Sequence, residues 1–217
     1  MNPDFKKRLQ KIGVAALSAV AVLTVAIWMF VRNNPLIFNE SFLGHAHCMK
    51  QATTELVMVA HDNAGRFPSH TNGYADAIMS LNSAALITFT GPGYSTEPLR
   101  SAWSEKRNVP EHELGRVYVQ GLSARDNPEI AILFDKLPTP GGDHCHGLRR
   151  LNAKLGREVG FLDGSTKFIP DREWPEFSRR QIGLLIAADV SKTVAESYYS
   201  EQPKPELAAL AKKYSDR

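Results

Sequence analysis

The residues best suited to chemistry lie in two short runs, His45-Ala46-His47-Cys48 and His144-Cys145-His146, which hold four of the seven histidines and both cysteines. Imidazoles and thiolates are the side chains that bind Zn or Cu. Side chains alternate along an extended backbone, so His45 and His47 point one way and His144 and His146 point one way, and two imidazole pairs could converge on one ion. A plain Cys48–Cys145 disulfide is the competing reading and the leading one. It would close a loop of about 100 residues and stabilise by about 4.7 kcal/mol on the chain-entropy argument. The expectation is therefore a disulfide and no cofactor, with Zn or Cu held by His45, His47, His144 and His146 as the alternative, and unrelated surface residues as a third reading. Histidines separated by one residue are a weaker metal signal than Cys-x-x-Cys or His-x-x-x-His.

Other catalytic patterns are missing from the sequence. It has no phosphate-binding Gly-x-x-x-x-Gly-Lys-Ser/Thr loop, no Gly-x-Ser-x-Gly elbow, no Cys-x-x-Cys-His haem attachment and no His-Glu-x-x-His helix. Asp135, Asp143 and Asp163 could be imagined around calcium, yet an aspartate beside a glycine is more often turn chemistry. His61, His70 and His112 stand alone, as surface or satisfied core histidines do. No catalytic residue is assigned, and the chain is expected not to be an enzyme.

With 217 residues, 43% hydrophobic and 23% charged, the chain is long enough for one sizeable core. The net charge of +3 is small. Its basic residues are scattered apart from an N-terminal cluster, which argues against a nucleic-acid partner. From Ile12 to Val31 there is no charged residue, and 20 helical residues would match the ~30 Å hydrocarbon layer of a bilayer. Lys6, Lys7, Arg8 and Lys11 precede the run, so the basic end would stay in the cytoplasm. A cleaved signal peptide ending near Ala19-Val20-Ala21 is the alternative. The expected layout is a basic segment at 1–11, a transmembrane anchor at 12–32, a stalk at 33–46, an extracytoplasmic domain at 47–200 and a tail helix at 201–217.

The elements that must position the histidine–cysteine runs follow from periodicity. His47 to Asn63 places Cys48, Ala52, Leu56 and Val59 on one helical face, with Asn63-Ala64-Gly65 as its stop. Tyr74 to Asn82 reads as a second, shorter helix. Residues 85 to 113 carry several Gly and Pro with little periodicity and read as a long surface excursion. Arg116–Gln120, Glu129–Asp135 and Val159–Ile169 read as strands, the last a hairpin turning at Asp163 and Gly164. A two-residue type I′ turn would set Phe161 opposite Thr166 and Val159 opposite Phe168 on the core face, with Lys167 on the other. Trp174-Pro175 opens a helix, and a short one spans Glu206 to Tyr214. The fold class is α+β: a transmembrane helix, then an amphipathic helix packed on a small antiparallel sheet.

This order of parts resembles the type IV pilin-like and pseudopilin-like proteins of bacteria, in particular relatives whose outer domain has no assigned function. The residues carrying the resemblance are Cys48 to Gln51, Asn63-Ala64-Gly65-Arg66-Phe67-Pro68, Tyr118 to Leu122, His144 to Gly147 and Phe161-Leu162-Asp163-Gly164-Ser165. After Gly13 the sequence departs from the family, placing Ser18 where a glutamate pairs with a neighbouring subunit. The resemblance implies a pilin-like head at the bacterial inner membrane, its C-terminal domain periplasmic or extracellular. It implies a structural or interaction role in a secretion-related or other assembly, with the lipid bilayer, other envelope proteins and homo- or hetero-oligomeric contacts as partners.

Overall fold

The computed structural model describes residues 18–30, 48–81, 84–140 and 155–215. Within the apolar run, residues 18–30 are helical. Among the described residues no helix is long and apolar enough to cross a membrane. The transmembrane anchor expected at 12–32 is therefore corrected, and with it the single-pass inner-membrane placement and the membrane part of the fold class. The rest of that segment, the basic segment at 1–11 and the stalk at 33–46 lie outside the described residues.

From Met49 onward the chain builds an α+β domain. Helix α1, Met49–Asp62, buries Met49, Ala52, Thr53, Leu56 and Ala60, one stripe at helical spacing. Cys48 and Val59, expected on that stripe, are only half-buried, so the inward face is turned slightly from the expected one. The helix stops where Ala64 and Gly65 take left-handed φ angles of 55° and 82°. There Gly65 N–H closes onto the Ala60 carbonyl at 2.7 Å, the left-handed ending that glycine favours. Helix α2 is Tyr74–Met79. The segment read as a surface excursion holds a 3-10 turn, Ala84–Phe89, the helix α3, Glu97–Glu105, and a further 3-10 turn, Glu111–Glu113. Phe89, Tyr94, Leu99, Ala102 and Val109 from this segment are buried. Pro98 stands in the first turn of α3, where its missing N–H costs nothing, so a proline there marks a helix start and not a loop.

The sheet has five antiparallel strands: β1 Arg116–Tyr118, β2 Ala131–Asp135, β3 Thr139–Pro140, β4 Leu155–Phe161 and β5 Thr166–Pro170. Strand β4 is central. Gly160 pairs with Leu133 on one edge and Thr166 on the other, and Gly156 pairs with Thr139 and Pro170. Strands β2 and β3 thus lie end to end along one edge of β4, with β1 beyond β2 and β5 on the opposite edge. All five residues of β2 are buried, which requires cover on both faces. On one face α1 approaches so closely that a Cβ on Gly160 would meet Thr53. On the other, Phe134 stacks against Tyr199 with ring centres 4.8 Å apart and lies 5.4 Å from Trp174. Trp174 opens α4, Trp174–Ala187, and Tyr199 lies in α5, Lys192–Ser200. The last helix, α6, runs Pro205–Ser215.

The hairpin register differs from the expected one by one residue. Val159 pairs with Lys167 and Glu158 with Phe168. Phe161 N–H donates to the Ser165 carbonyl at 2.9 Å, and Gly164, with φ of 80°, donates to the Phe161 carbonyl at 2.9 Å. The loop therefore has three residues, 162–164, ending in a left-handed glycine. A one-residue slip flips every side chain of the second strand. Lys167 accordingly shares the α4 face with Val159 and Phe161, and Phe168 moves to the α1 face.

Candidate functional site

Asp163 and Gly164 sit at the tip of the β4–β5 hairpin, where Lys50 of α1 donates to the Gly164 carbonyl at 2.5 Å. Asp163 accepts from Ser165 N–H at 2.8 Å. Hydrogen bonding from Ser165 holds the Asp163 carboxyl below its usual range. Because the register turns Lys167 toward α4, the hairpin and α4 enclose a cleft of ≈ 310 Å³. Phe161 and Phe177 form its apolar wall, edge to face at 6.3 Å. Lys167 and Arg180 supply positive charge, and Glu129 and Asp163 negative charge. Gln181, 2% exposed, forms the floor. Its amide accepts from Ala131 N–H and donates to the Glu129 carbonyl, both at 2.9 Å, which fixes the start of β2 against α4. The Glu129–Arg180 pair at the rim is more than 60% exposed on both sides, so it shapes the surface and adds little stability. Balanced charges above an aromatic wall suit contact with an extended segment.

Two further polar groups are buried beneath the sheet's edge. Arg116 and Asp135 are 0% and 1% exposed and joined Nε to Oδ1 at 2.9 Å. Arg116 also donates to the Thr88 carbonyl. Burial raises the Asp135 carboxyl, and the Arg116 guanidinium opposes that rise. Lys136, next in sequence, has a fully buried side chain and pairs with Glu201 at 2.6 Å. Burial, then the Glu201 charge, pushes the Glu111 carboxyl up, while the Tyr74 N–H that donates to its Oε1 at 3.0 Å pulls it down. Neither group is legible in the sequence. A lysine one residue past an apolar strand is an ordinary strand end, and its partner lies far along the chain.

The apolar helix of residues 18–30 is exposed throughout. Val20, Val22, Leu23, Val25, Ile27, Trp28, Met29 and Phe30 are 45–70% exposed, and together they cover every face of the helix. Thr24 is satisfied within the helix, donating to the Val20 carbonyl at 2.8 Å.

Of the sequence-derived site residues, His45, His47, His144, Cys145 and His146 lie outside the described residues. Cys48 is the N-cap of α1. The expected Cys48–Cys145 disulfide involves Cys145 and so falls outside the described residues. No group of three or more His, Cys, Asp or Glu side chains gathers as a metal site among them. The structure does not bring His61, His70 and His112 together. His61 and His112 stand at the surface near Asp62 and Glu113, and His70 lies 3.5 Å from Asp76. No family model, curated protein or solved structure matches the chain.

Proposed function

We propose that the chain is a structural and interaction subunit that assembles with further copies of itself through the helix of residues 18–30. The observation that carries this reading is the exposure of eight large apolar side chains on all faces of an uncharged helix. A helix apolar all round requires apolar neighbours on every side, which one shallow groove does not offer and a bundle of like helices does. Thr24 makes no demand on such a bundle, because its hydroxyl is already bonded within its own helix. The pilin-like resemblance implies the same division of labour, an apolar helix for assembly and an α+β head for contacts. The hairpin cleft gives that head a surface shaped for a second protein.

Sedimentation velocity of the full chain over a range of concentrations tests the reading. Reversible oligomers are expected, and Leu23→Lys, placing a charge on the helix, shifts them to monomer while leaving the head folded. A monomer at all concentrations, unchanged oligomers in the variant, or co-flotation with lipid vesicles as a monomer would overturn it.

A further inference from the structure

The C-terminal arm, from the end of α5 into α6, carries a carboxylate into the body of the domain. Glu201 Oε2 lies 2.6 Å from Lys136 Nζ. The same ammonium donates to the Glu111 carbonyl at 2.8 Å and stands 5.6 Å from the centre of the Tyr74 ring. Tyr74 is 3% exposed, and its buried hydroxyl lies beside the Glu201 carboxylate. Burial first, then the charges of Glu201 and Glu111 and a hydrogen bond to Glu201, push its pKa far up. Three residues on, Lys204 Nζ pairs with Glu113 at 2.7 Å, and Lys204 N–H donates to Tyr94 Oη at 3.0 Å.

A buried ammonium needs a negative partner, and a buried hydroxyl without an acceptor is costly. Both lie where the Glu201 side chain enters. Glu201 belongs to the irregular link 201–204 between two helices, which contains Pro203 and ends at Pro205. A link that makes no helical ladder can lift without unwinding either neighbour. We propose that Lys136, positioned by the Glu111 carbonyl, and Tyr74 form a carboxylate-recognition pocket, filled in cis by Glu201 and open in trans to an acidic peptide segment of a partner protein. Glu113 beside the pocket disfavours a run of acids and favours a base three residues after the acid, the Glu-x-x-Lys pattern of Glu201 and Lys204. This goes beyond the assembly reading and does not depend on the helix of residues 18–30. While the arm is in place it competes at the millimolar effective concentration typical of a short tether, which masks the pocket in the resting chain.

The probe is a fluorescein-labelled peptide of residues 200–206, Ser-Glu-Gln-Pro-Lys-Pro-Glu, and its counterpart with glutamine at the first glutamate. Both are titrated by anisotropy with the full chain and with Glu201→Gln. The variant is expected to bind the glutamate peptide at least about tenfold more tightly than the parent does. It should bind the glutamine peptide at least about tenfold more weakly than the glutamate one, as loss of a charge-assisted contact to a buried ammonium requires. If Glu201→Gln does not fold, Lys204→Gln, which loosens the arm at its part-exposed clasp, takes its place with the same expectations. Absence of saturable binding by a folded variant, equal affinity for the two peptides, or equal affinity of parent and variant would overturn the proposal.

Discussion

Replacing Arg116 with methionine would leave Asp135 buried without its cation while keeping most of the side chain's volume. Both partners are essentially inaccessible, at 0% and 1% exposure, with Nε and Oδ1 2.9 Å apart. Removing one member of such a pair costs about 3–5 kcal/mol, because the remaining charge is uncompensated. For a chain of this length that corresponds to a fall in Tm of about 6–20 °C. Burial already raises the Asp135 carboxyl above its ordinary value, and Arg116 is the group that opposes the rise. Without Arg116 the folded-state pKa climbs further. A carboxyl raised on folding contributes stability that is present below its unfolded pKa and lost as pH rises through the folded value. Arg116→Met should therefore be less damaging at pH 5 than at pH 8. The double variant Arg116→Met, Asp135→Leu should recover roughly half of the loss or more, since the stranded charge is gone while the Arg116 hydrogen bond to the Thr88 carbonyl stays lost. Urea unfolding at the two pH values measures all three quantities. A single-variant cost below about 1 kcal/mol, or a double variant no more stable than the single, would refute the reasoning.

Gly160→Ala would drive a Cβ into Thr53 where α1 lies on the sheet, and overpacking of this kind should cost about 1–3 kcal/mol in urea unfolding. Gln181→Leu would strand the buried Ala131 N–H at the floor of the cleft, at about 1–3 kcal/mol, with the largest loss of amide protection expected in β2. Elemental analysis of the purified full chain should show no stoichiometric Zn or Cu; one ion per chain, lost when His45, His47, His144 and His146 are replaced by alanine, would instead favour the metal-binding alternative.

Regular elements with strong local signals are legible in the sequence. The helix after Cys48 declares itself by its apolar stripe and its Asn63-Ala64-Gly65 stop, and β2 by an unbroken apolar run. The hairpin shows where local reasoning ends. Asp163-Gly164 marks the turn equally for a two-residue and a three-residue loop, and the choice of loop decides whether Lys167 faces α4 or α1. Residues 84–113 defeat a local reading as well. Pro98 stands in the first turn of a helix and Pro110 caps a 3-10 turn, while Phe89, Leu99 and Val109 are drawn inward by core that the rest of the chain supplies. The Lys136–Glu201 clasp has no local signal at all. The expected anchor is overturned by the absence, among the described residues, of any helix long and apolar enough to cross a membrane.

The central claim, assembly of copies through the apolar helix, is tested most directly by a photo-crosslinking side chain placed at Val25 in the full chain. Illumination followed by peptide mapping should join residues 18–30 of one copy to residues 18–30 of another. Crosslinks confined to one chain, or joining Val25 only to the heads of other copies, would contradict it.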